Sequence, residues 1–252
     1  MLEALGLRFY LRNLIYLKML GKKEFLFWGH LGLGDQICYA KLYESWHDFG
    51  YSVRVPCHRR YLETLRVMYS YLPNILFYPI NSEDYLSENI LVRELKNELA
   101  LPLIMSGHGT LQIMQNLFPK DGCQTNLLRT AGLKVENLFS TRFRNHLLEI
   151  NTLLPSPSIE FAFLNRRHSR GLVNLPAMPT WDTSMFVIEE KDGIELYRYA
   201  KIINEAHELR SCGSAFFCLA VVMGSRATSK FYFGHNDLKS DNPDDEWIQI
   251  RS

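Results

Sequence analysis

The 252-residue sequence lacks the short motifs that identify several enzyme classes directly. It contains no Gly-Lys-Ser or Gly-Lys-Thr, which excludes a Walker-type phosphate loop. It also contains no Gly-x-Ser-x-Gly, which argues against an esterase-type serine nucleophile. No Asp-x-Asp occurs, and the acidic residues near the motifs described below are not clustered as Mg²⁺ ligands would be. The sequence therefore predicts no metal site and no serine hydrolase.

Excess charge and paired cysteines are missing as well. The formal net charge is +1, so the chain does not bind nucleic acid through overall positive charge. The cysteines form no Cys-x-x-Cys pair, and an odd number of scattered cysteines is typical of reduced thiols in a cytoplasmic protein. They are Cys38, Cys57, Cys123, Cys212 and Cys218. We therefore expect a cytoplasmic protein without a nucleic-acid partner.

Long hydrophobic runs are absent too. No stretch of about 18 uninterrupted apolar residues occurs, so no transmembrane helix is predicted. Residues 1–23 combine spaced leucines with five basic residues and one acid, which predicts an amphipathic basic helix. Arg8 and Arg12 interrupt the apolar positions and argue against a signal peptide. The helix either packs on the protein itself or makes a peripheral contact with an anionic membrane.

The most informative segment is residues 25–35, Phe-Leu-Phe-Trp-Gly-His-Leu-Gly-Leu-Gly-Asp, which precedes an amphipathic segment at 36–47. An apolar run, a glycine-rich turn and a helical period predict a strand, a tight loop and a helix. Glycines allow close approach of a ligand, and a helix start attracts phosphate. The segment predicts a phosphate or diphosphate site, most commonly occupied by a nucleotide-sugar. In the alternative interpretation, the glycines only make the bend.

The loop is not that of a dinucleotide-binding protein. Gly32-Leu33-Gly34 lacks the third glycine of Gly-x-Gly-x-x-Gly, because Cys38 and its neighbours supply none. The next predicted strand ends in Val-Arg-Val-Pro, without the acidic residue that binds a ribose. Both observations count against a NAD-dependent enzyme such as a sugar-nucleotide epimerase, which stays as a minor alternative.

Strand and helix patterns alternate along the whole chain, which predicts parallel sheets covered by helices on both faces. The first set of predicted strands lies at 25–28, 51–56, 74–80 and 101–105, with helices at 36–47, 59–71, 83–99 and 142–154. The second set lies at 159–164, 185–188, 208–212 and a last strand at 230–233, with helices at 197–206 and 213–223. Residues 155–158, Pro-Ser-Pro-Ser, predict a linker. We therefore expect domains at 1–154 and 155–252.

Four motifs resemble those of small GT-B-like glycosyltransferases, a group related to heptosyltransferases and fucosyltransferases. The first is residues 29–35, similar to the Gly-Leu-Gly-Asp loop of that group, and the second is residues 126–148. The third, residues 165–171, ends in Ser-Arg-Gly, and the fourth, residues 204–216, resembles the nucleotide-sugar motif. The resemblance implies two Rossmann-like α/β/α units that face a cleft, the second one small. It assigns the acceptor to the first unit and the nucleotide-sugar to the second.

The resemblance also implies the residues that bind the donor. Backbone N–H groups at a helix start and nearby arginines would hold the diphosphate in place of a metal ion, and a glutamate would accept a hydrogen bond from the ribose. The implied donor-binding residues are Gly32, Leu33, Gly34, Arg166, Arg167, Arg170, Gly171, Glu208, Gly213, Ser214, Ala215 and Phe216. For Ser214 the alternative is a plain helix cap, and for the arginines a solvated loop.

Inverting glycosyl transfer needs a base that removes the proton of the acceptor hydroxyl. Asp35 is the first candidate, since the matching aspartate serves as the base in related heptosyltransferases; the alternative is that it caps its helix. His30 is the second candidate and His108 a weaker third.

The sequence thus predicts a metal-independent inverting glycosyltransferase that needs no cofactor and acts on a glycan or lipid-linked glycan. The alternative is a catalytically degenerate GT-B-like nucleotide-binding or assembly protein, because Cys212-Gly213 replaces the usual Asp-Ser of the motif.

Overall fold

The computed structural model describes residues 21, 23–29, 31–81, 85–105, 139–150, 158–168, 171–174, 184–233 and 247–250. Within these ranges the chain forms two parallel β-sheets with helices between their strands. This confirms the two predicted α/β units. The predicted helix within residues 1–23, the strand end at 106–109 and the linker at 155–157 lie largely or wholly outside the described residues. The domain boundary after residue 154 therefore stays a prediction.

The first unit contains a four-stranded sheet in the order β3-β2-β1-β4, in which all neighbours are parallel. Leu26 lies at its centre, opposite Arg54 on one side and Leu103 on the other. The elements are β1 (Glu24–Trp28), α1 (Leu33–Cys38), α2 (Ala40–Asp48), β2 (Ser52–His58), a 3₁₀ turn (Arg59–Tyr61), α3 (Leu62–Met68), β3 (Ile75–Ile80), α4 (Tyr85–Leu99) and β4 (Leu103–Met105).

The segment at 36–47, predicted as one helix, is two helices that meet at Tyr39. The ring of Tyr39 is fully buried and packs edge-on against Phe27, 5.1 Å between centroids. A Cβ atom on Gly29 would lie 2.6 Å from the same ring, so only glycine fits there. The break therefore follows from the packing of Tyr39 under the loop after β1, which the periodicity of the segment does not reveal.

The second unit contains a five-stranded parallel sheet in the order β11-β10-β9-β5-β8. Its elements follow helix α5 (Thr141–Ile150). They are β5 (Phe161–Asn165), the hairpin strands β6 (Arg167–His168) and β7 (Gly171–Leu172), β8 (Phe186–Glu189), a 3₁₀ turn (Leu196–Tyr199), α6 (Ala200–Glu205), β9 (Glu208–Cys212), α7 (Ala215–Met223), β10 (Ser229–Phe233) and β11 (Trp247–Ile250).

The prediction of β10 as the last strand is wrong, because β11 follows it and pairs with it in parallel. Residues 247–250 read Trp-Ile-Gln-Ile, a run too short to show a clear period. Two tertiary contacts hold the segment extended. It pairs with β10, and the ring centroid of Trp247 lies 4.9 Å from that of Phe217 in α7. Long-range packing of this kind determines strands that local sequence does not.

The core explains the composition of α7, which reads Ala-Phe-Phe-Cys-Leu-Ala-Val-Val-Met. A helix that is apolar on all sides is buried on all sides. Residues 217–223 of α7 are all buried, in a hydrophobic cluster that runs from the first sheet into the second. Gly224 ends the helix in the left-handed region at φ +61°, a conformation that glycine adopts at low cost. Helix α7 therefore lies between the two units.

Helix α5 also joins the two units. The backbone N–H of Ser140, just before α5, donates to Val222 O at 2.9 Å, and its hydroxyl donates to the buried carboxylate of Glu44. Arg142 donates to both carboxylate oxygens of Asp48, at 2.8 and 3.0 Å. These contacts attach α5 to α2 of the first unit and to α7 of the second.

Candidate functional site

The helices that follow two central strands, α1 after β1 and α7 after β9, pack against each other near their first residues. Gly34 makes the close approach possible, because a Cβ atom there would lie 3.0 Å from Cys218 Sγ and 3.6 Å from Ala215 Cα. Ligands of open parallel sheets bind beyond the carboxyl ends of the strands. The contact therefore brings the ligand-binding edges of both sheets to one place.

Gly32, Leu33, Gly34 and Asp35 form the start of α1. Gly32 is the residue before the first helical position, and its carbonyl accepts the N–H of Gln36 at 3.1 Å. Asp35 is the third helical residue, so it does not occupy the capping position, which is that of Gly32. Its side chain is half-buried. The structure thus places Asp35 one residue from the contact with α7. His30, the second candidate base, and His108 lie outside the described residues.

The start of α7 has the geometry of an anion site. Ser214 precedes the helix in an extended conformation (φ −146°, ψ 178°), and no side chain caps the helix. Gly213 is required by packing, since a Cβ atom there would collide with the hydroxyl of Tyr232. The first N–H groups of a nine-residue helix and its dipole favour a negative charge at this position. Gly213, Ser214, Ala215 and Phe216 form this helix start, and their binding of a donor stays a prediction.

Arg166 and Arg167 follow β5 at the same edge of the sheet, and both pair with acids. The Arg166 Nη2 atom lies 2.5 Å from Glu189 Oε1, and the Arg167 Nη1 atom lies 2.5 Å from Asp192 Oδ1. All four side chains are partly exposed, so these pairs can exchange partners at low cost. Gly171 lies opposite His168 in the adjoining hairpin. Arg170 lies outside the described residues.

Glu208 lies away from the other predicted residues. It begins β9, whereas Cys212, which leads to Ser214, ends this strand. Four residues of strand separate them by roughly 13 Å at about 3.3 Å per residue. The side chain is buried and receives a hydrogen bond from Arg210 Nε. Glu208 therefore does not join the site, because residues 208–212 form a full strand that ends at the opposite edge.

The carboxyl edge of the second sheet carries a buried carboxylate that the motifs of the sequence do not reveal, that of Glu190, which directly follows β8. Glu190 Oε1 accepts the N–H groups of Arg166 and Arg167 at 3.0 and 2.9 Å. Glu190 is only 8% exposed, and within the described part of the chain its Oε2 atom has no hydrogen-bond partner. Burial raises the pKa of this carboxyl group. An acid at the end of an apolar strand was the available signal in the sequence.

The carboxyl edge of the first sheet carries a second missed group, at the end of β2. Arg59 Nε donates to Asn81 Oδ1 at 3.0 Å, and the Arg60 guanidinium lies 4.6 Å from the ring centroid of Tyr61. Both arginines are exposed, and neither pairs with a carboxylate in the described ranges. The two arginines directly follow β2, the strand next to β1, so they lie at the same edge of the sheet as the loop that follows β1.

Two further properties concern metals and membranes. No group of three or more His, Cys, Asp or Glu side chains could hold a metal ion among the residues for which the structure gives positions. Over the same residues, no helix combines the length and the apolar character needed to cross a membrane.

No protein-family model matches the chain, and no curated protein matches it. A solved structure does match: the glycosyl transferase family 9 protein from Veillonella parvula DSM 2008. The similarity covers 90% of this chain and 85% of that protein, with a TM-score of 0.50 and 11% sequence identity. The fold of this chain is GT-B-like. The predicted fold class is thus confirmed, and the GT-B-like arrangement explains why the two sheets direct their carboxyl edges to one site.

Proposed function

We propose that this protein is a metal-independent, inverting glycosyltransferase that transfers a sugar from a nucleotide-sugar to a glycan or lipid-linked glycan. The observation that carries the proposal is the contact of α1 with α7 at Gly34 and Ala215. It puts Asp35, a carboxylate on the first unit, beside the helix start on the second unit that suits a diphosphate. Glycosyl transfer needs a base near the site of the leaving group, and Asp35 directly follows Gly34, the residue at the contact.

On the donor side, the N–H groups at the start of α7 receive the diphosphate. Arg166 and Arg167, with Arg170 and Gly171 of the same loop, supply charge and hydrogen-bond donors in place of a metal ion. The free oxygen of Glu190 accepts a hydrogen bond from a hydroxyl of the donor, the role that the sequence analysis gave to Glu208. This oxygen is buried and has no partner in the described part of the chain, and such an atom is costly unless a ligand satisfies it.

On the acceptor side, the first unit presents Asp35 and the edge that carries Arg59 and Arg60. Two exposed guanidinium groups that pair with no carboxylate of the described residues favour an acceptor that bears an acidic group. Residues 1–23 would bring the protein to a membrane if the acceptor is lipid-linked. We therefore propose an acceptor that carries an acidic group and that is a glycan or a lipid-linked glycan.

In the reaction, the Asp35 carboxylate takes the proton of the acceptor hydroxyl while the hydroxyl oxygen bonds to the anomeric carbon. The bond from that carbon to the diphosphate oxygen breaks, and its electron pair leaves with the nucleoside diphosphate. The helix start and the arginines stabilise the charge that develops on this leaving group. Attack from the side opposite the leaving group inverts the anomeric centre. His30 is the second candidate for the base.

The test begins with thermal unfolding of the purified protein in the presence of GDP, UDP, ADP, CMP and NAD, with and without Mg²⁺. The proposal predicts a rise in Tm with one nucleoside diphosphate that does not depend on Mg²⁺. With the corresponding nucleotide-sugar, Asp35→Asn should keep the nucleotide affinity and lose transfer by about 100-fold or more, the usual contribution of a general base. Glu63→Gln, an exposed carboxylate at the second residue of α3, is the control. Full activity of Asp35→Asn would remove it as the base.

The second candidate function is a degenerate GT-B-like protein that binds a nucleotide without transfer. The ion pairs of Arg166 with Glu189 and of Arg167 with Asp192 favour it, because they neutralise charges that a diphosphate needs. Binding of a nucleoside diphosphate without turnover of any nucleotide-sugar, across a broad panel of acceptors, would support this candidate.

A further inference from the structure

Asn165 is a fully buried amide at the end of β5, between the loop of Arg166 and the start of α7. Its Oδ1 atom accepts hydrogen bonds from the hydroxyl of Ser214 at 2.6 Å and from the hydroxyl of Ser211 at 3.2 Å. Its Nδ2 atom donates to Arg167 O at 3.4 Å. One side chain thus connects the two segments to which the proposed function assigns the diphosphate.

The bond to Ser214 has a consequence for α7. A serine at the position before a helix ordinarily turns its hydroxyl oxygen to accept an N–H group of the first helical turn. Ser214 makes no such bond, although its backbone is extended as in a capping residue. Its hydroxyl points to Asn165 instead. The first N–H groups of α7 are therefore left without the cap that this residue type would supply.

We propose that Asn165 is a positioning residue that prevents Ser214 from capping α7, so that the first N–H groups of the helix stay available to an anionic ligand. The inference rests on the proposed function for the identity of the ligand, a nucleoside diphosphate. It adds a cause for the open helix start, which would otherwise be an exception to the capping preference of serine. The second observation that points to a ligand at this edge is the buried Glu190 Oε2 atom, which has no hydrogen-bond partner among the residues that the structure describes. Burial raises the pKa of Cys212, two residues before Ser214, a hydrogen bond with the Ser214 side chain lowers it, and the nearby Glu190 carboxylate raises it.

The inference predicts an unusual pattern of affinities. Asn165→Ala releases the hydroxyl of Ser214, which then caps α7 and competes with the ligand. Affinity for inorganic pyrophosphate and for the nucleoside diphosphate should fall by about fivefold to tenfold, the equivalent of one capping bond. The double variant Asn165→Ala with Ser214→Ala has no hydroxyl that could compete, so its affinity should return to within about threefold of the wild type.

A purely structural role of Asn165 would give a different result, because the second substitution would then add damage instead of restoring affinity. Ser211→Ala is the matched control. It removes a hydrogen bond to the same Oδ1 atom but lies in β9, so it should leave the affinity unchanged. Failure of the double variant to regain affinity would overturn the inference while leaving the proposed function intact.

A measurement on the wild-type protein keeps the inference testable if Asn165→Ala does not fold. Amide hydrogen exchange should be fast at Ala215 and Phe216, the half-buried first residues of α7, in the free protein and should slow when pyrophosphate or the nucleoside diphosphate binds. Protection of these amides in the free protein would contradict the inference. Fast exchange that neither probe slows would instead contradict the assignment of the diphosphate to this helix, and with it the proposed function.

Discussion

Glu190→Gln gives the clearest test of the donor site. The glutamine oxygen can still accept the N–H groups of Arg166 and Arg167, so the loop after β5 keeps its support. The change replaces the unpartnered, buried Oε2 atom by an N–H₂ group, which cannot accept a hydrogen bond from a ligand hydroxyl. A hydrogen bond to a charged group contributes about 1.5–3 kcal/mol. We therefore expect nucleotide affinity to fall roughly 10- to 100-fold.

The same substitution should raise the stability of the folded protein near neutral pH, although it lowers the affinity for the nucleotide. Burial raises the pKa of Glu190 in the folded protein, so the folded state favours the protonated acid. Its contribution to stability is fully present below the pKa of an unfolded glutamate and is lost as the pH rises through the folded value. Glutamine does not titrate. The variant should therefore gain stability relative to the wild type as the pH rises from about 4 towards neutrality.

Two assays separate the effect of Glu190→Gln on nucleotide affinity from its effect on folding stability. Isothermal titration measures affinity for the nucleoside diphosphate identified by thermal unfolding, and denaturant unfolding at several pH values measures stability. Glu160→Gln, an exposed glutamate just before β5 at the opposite edge of the sheet, is the control and should change neither quantity. Wild-type affinity in Glu190→Gln would refute the reasoning, because Oε2 would then not face the ligand.

Two further predictions follow from packing and burial. Gly34→Val should destabilise the protein by about 1–3 kcal/mol in denaturant unfolding, since its side chain would press on Cys218 Sγ, 3.0 Å from the Cβ position. Cys218→Ala should recover part of that loss, and a fully additive double variant would contradict a direct clash. Burial raises the pKa of Cys212 to about 12, so the thiolate is scarce at pH 8. Peptide mapping after alkylation should show Cys212 modified only in denaturant; equal labelling of the native protein would contradict its burial.

The fold was predictable because its signals are local. Alternating apolar runs and helical periods locate most strands and helices to within a few residues, and the glycine-rich segment joins β1 to α1 as the sequence predicts. Strand β11 and the break at Tyr39 were not predictable, since each depends on a partner distant in sequence, Phe217 in one case and Phe27 in the other.

The candidate site was predictable only in part. Ser214 and Asp35 occur in recognisable motifs, and the structure places both at the junction of α1 and α7. Glu190 occurs in no motif of the sequence, and Asn165 begins the third motif without a role that the motif assigns to it, because the importance of both residues comes from strand ends that meet at one edge. Glu208 begins β9 and Cys212 ends it, a separation that the predicted strand at 208–212 already implies.

The sequence by itself determined the α/β class, the glycine-rich loop and the choice of residue types that suit a diphosphate, because these depend on neighbours in the chain. Tertiary structure decided which of these residues meet. The close contact at Gly34, the buried oxygen of Glu190 and the bond from Ser214 to Asn165 each join segments far apart in sequence. Contacts of this kind depend on the strand order of two sheets and on the packing between them, and periodicity within a segment carries no information about either.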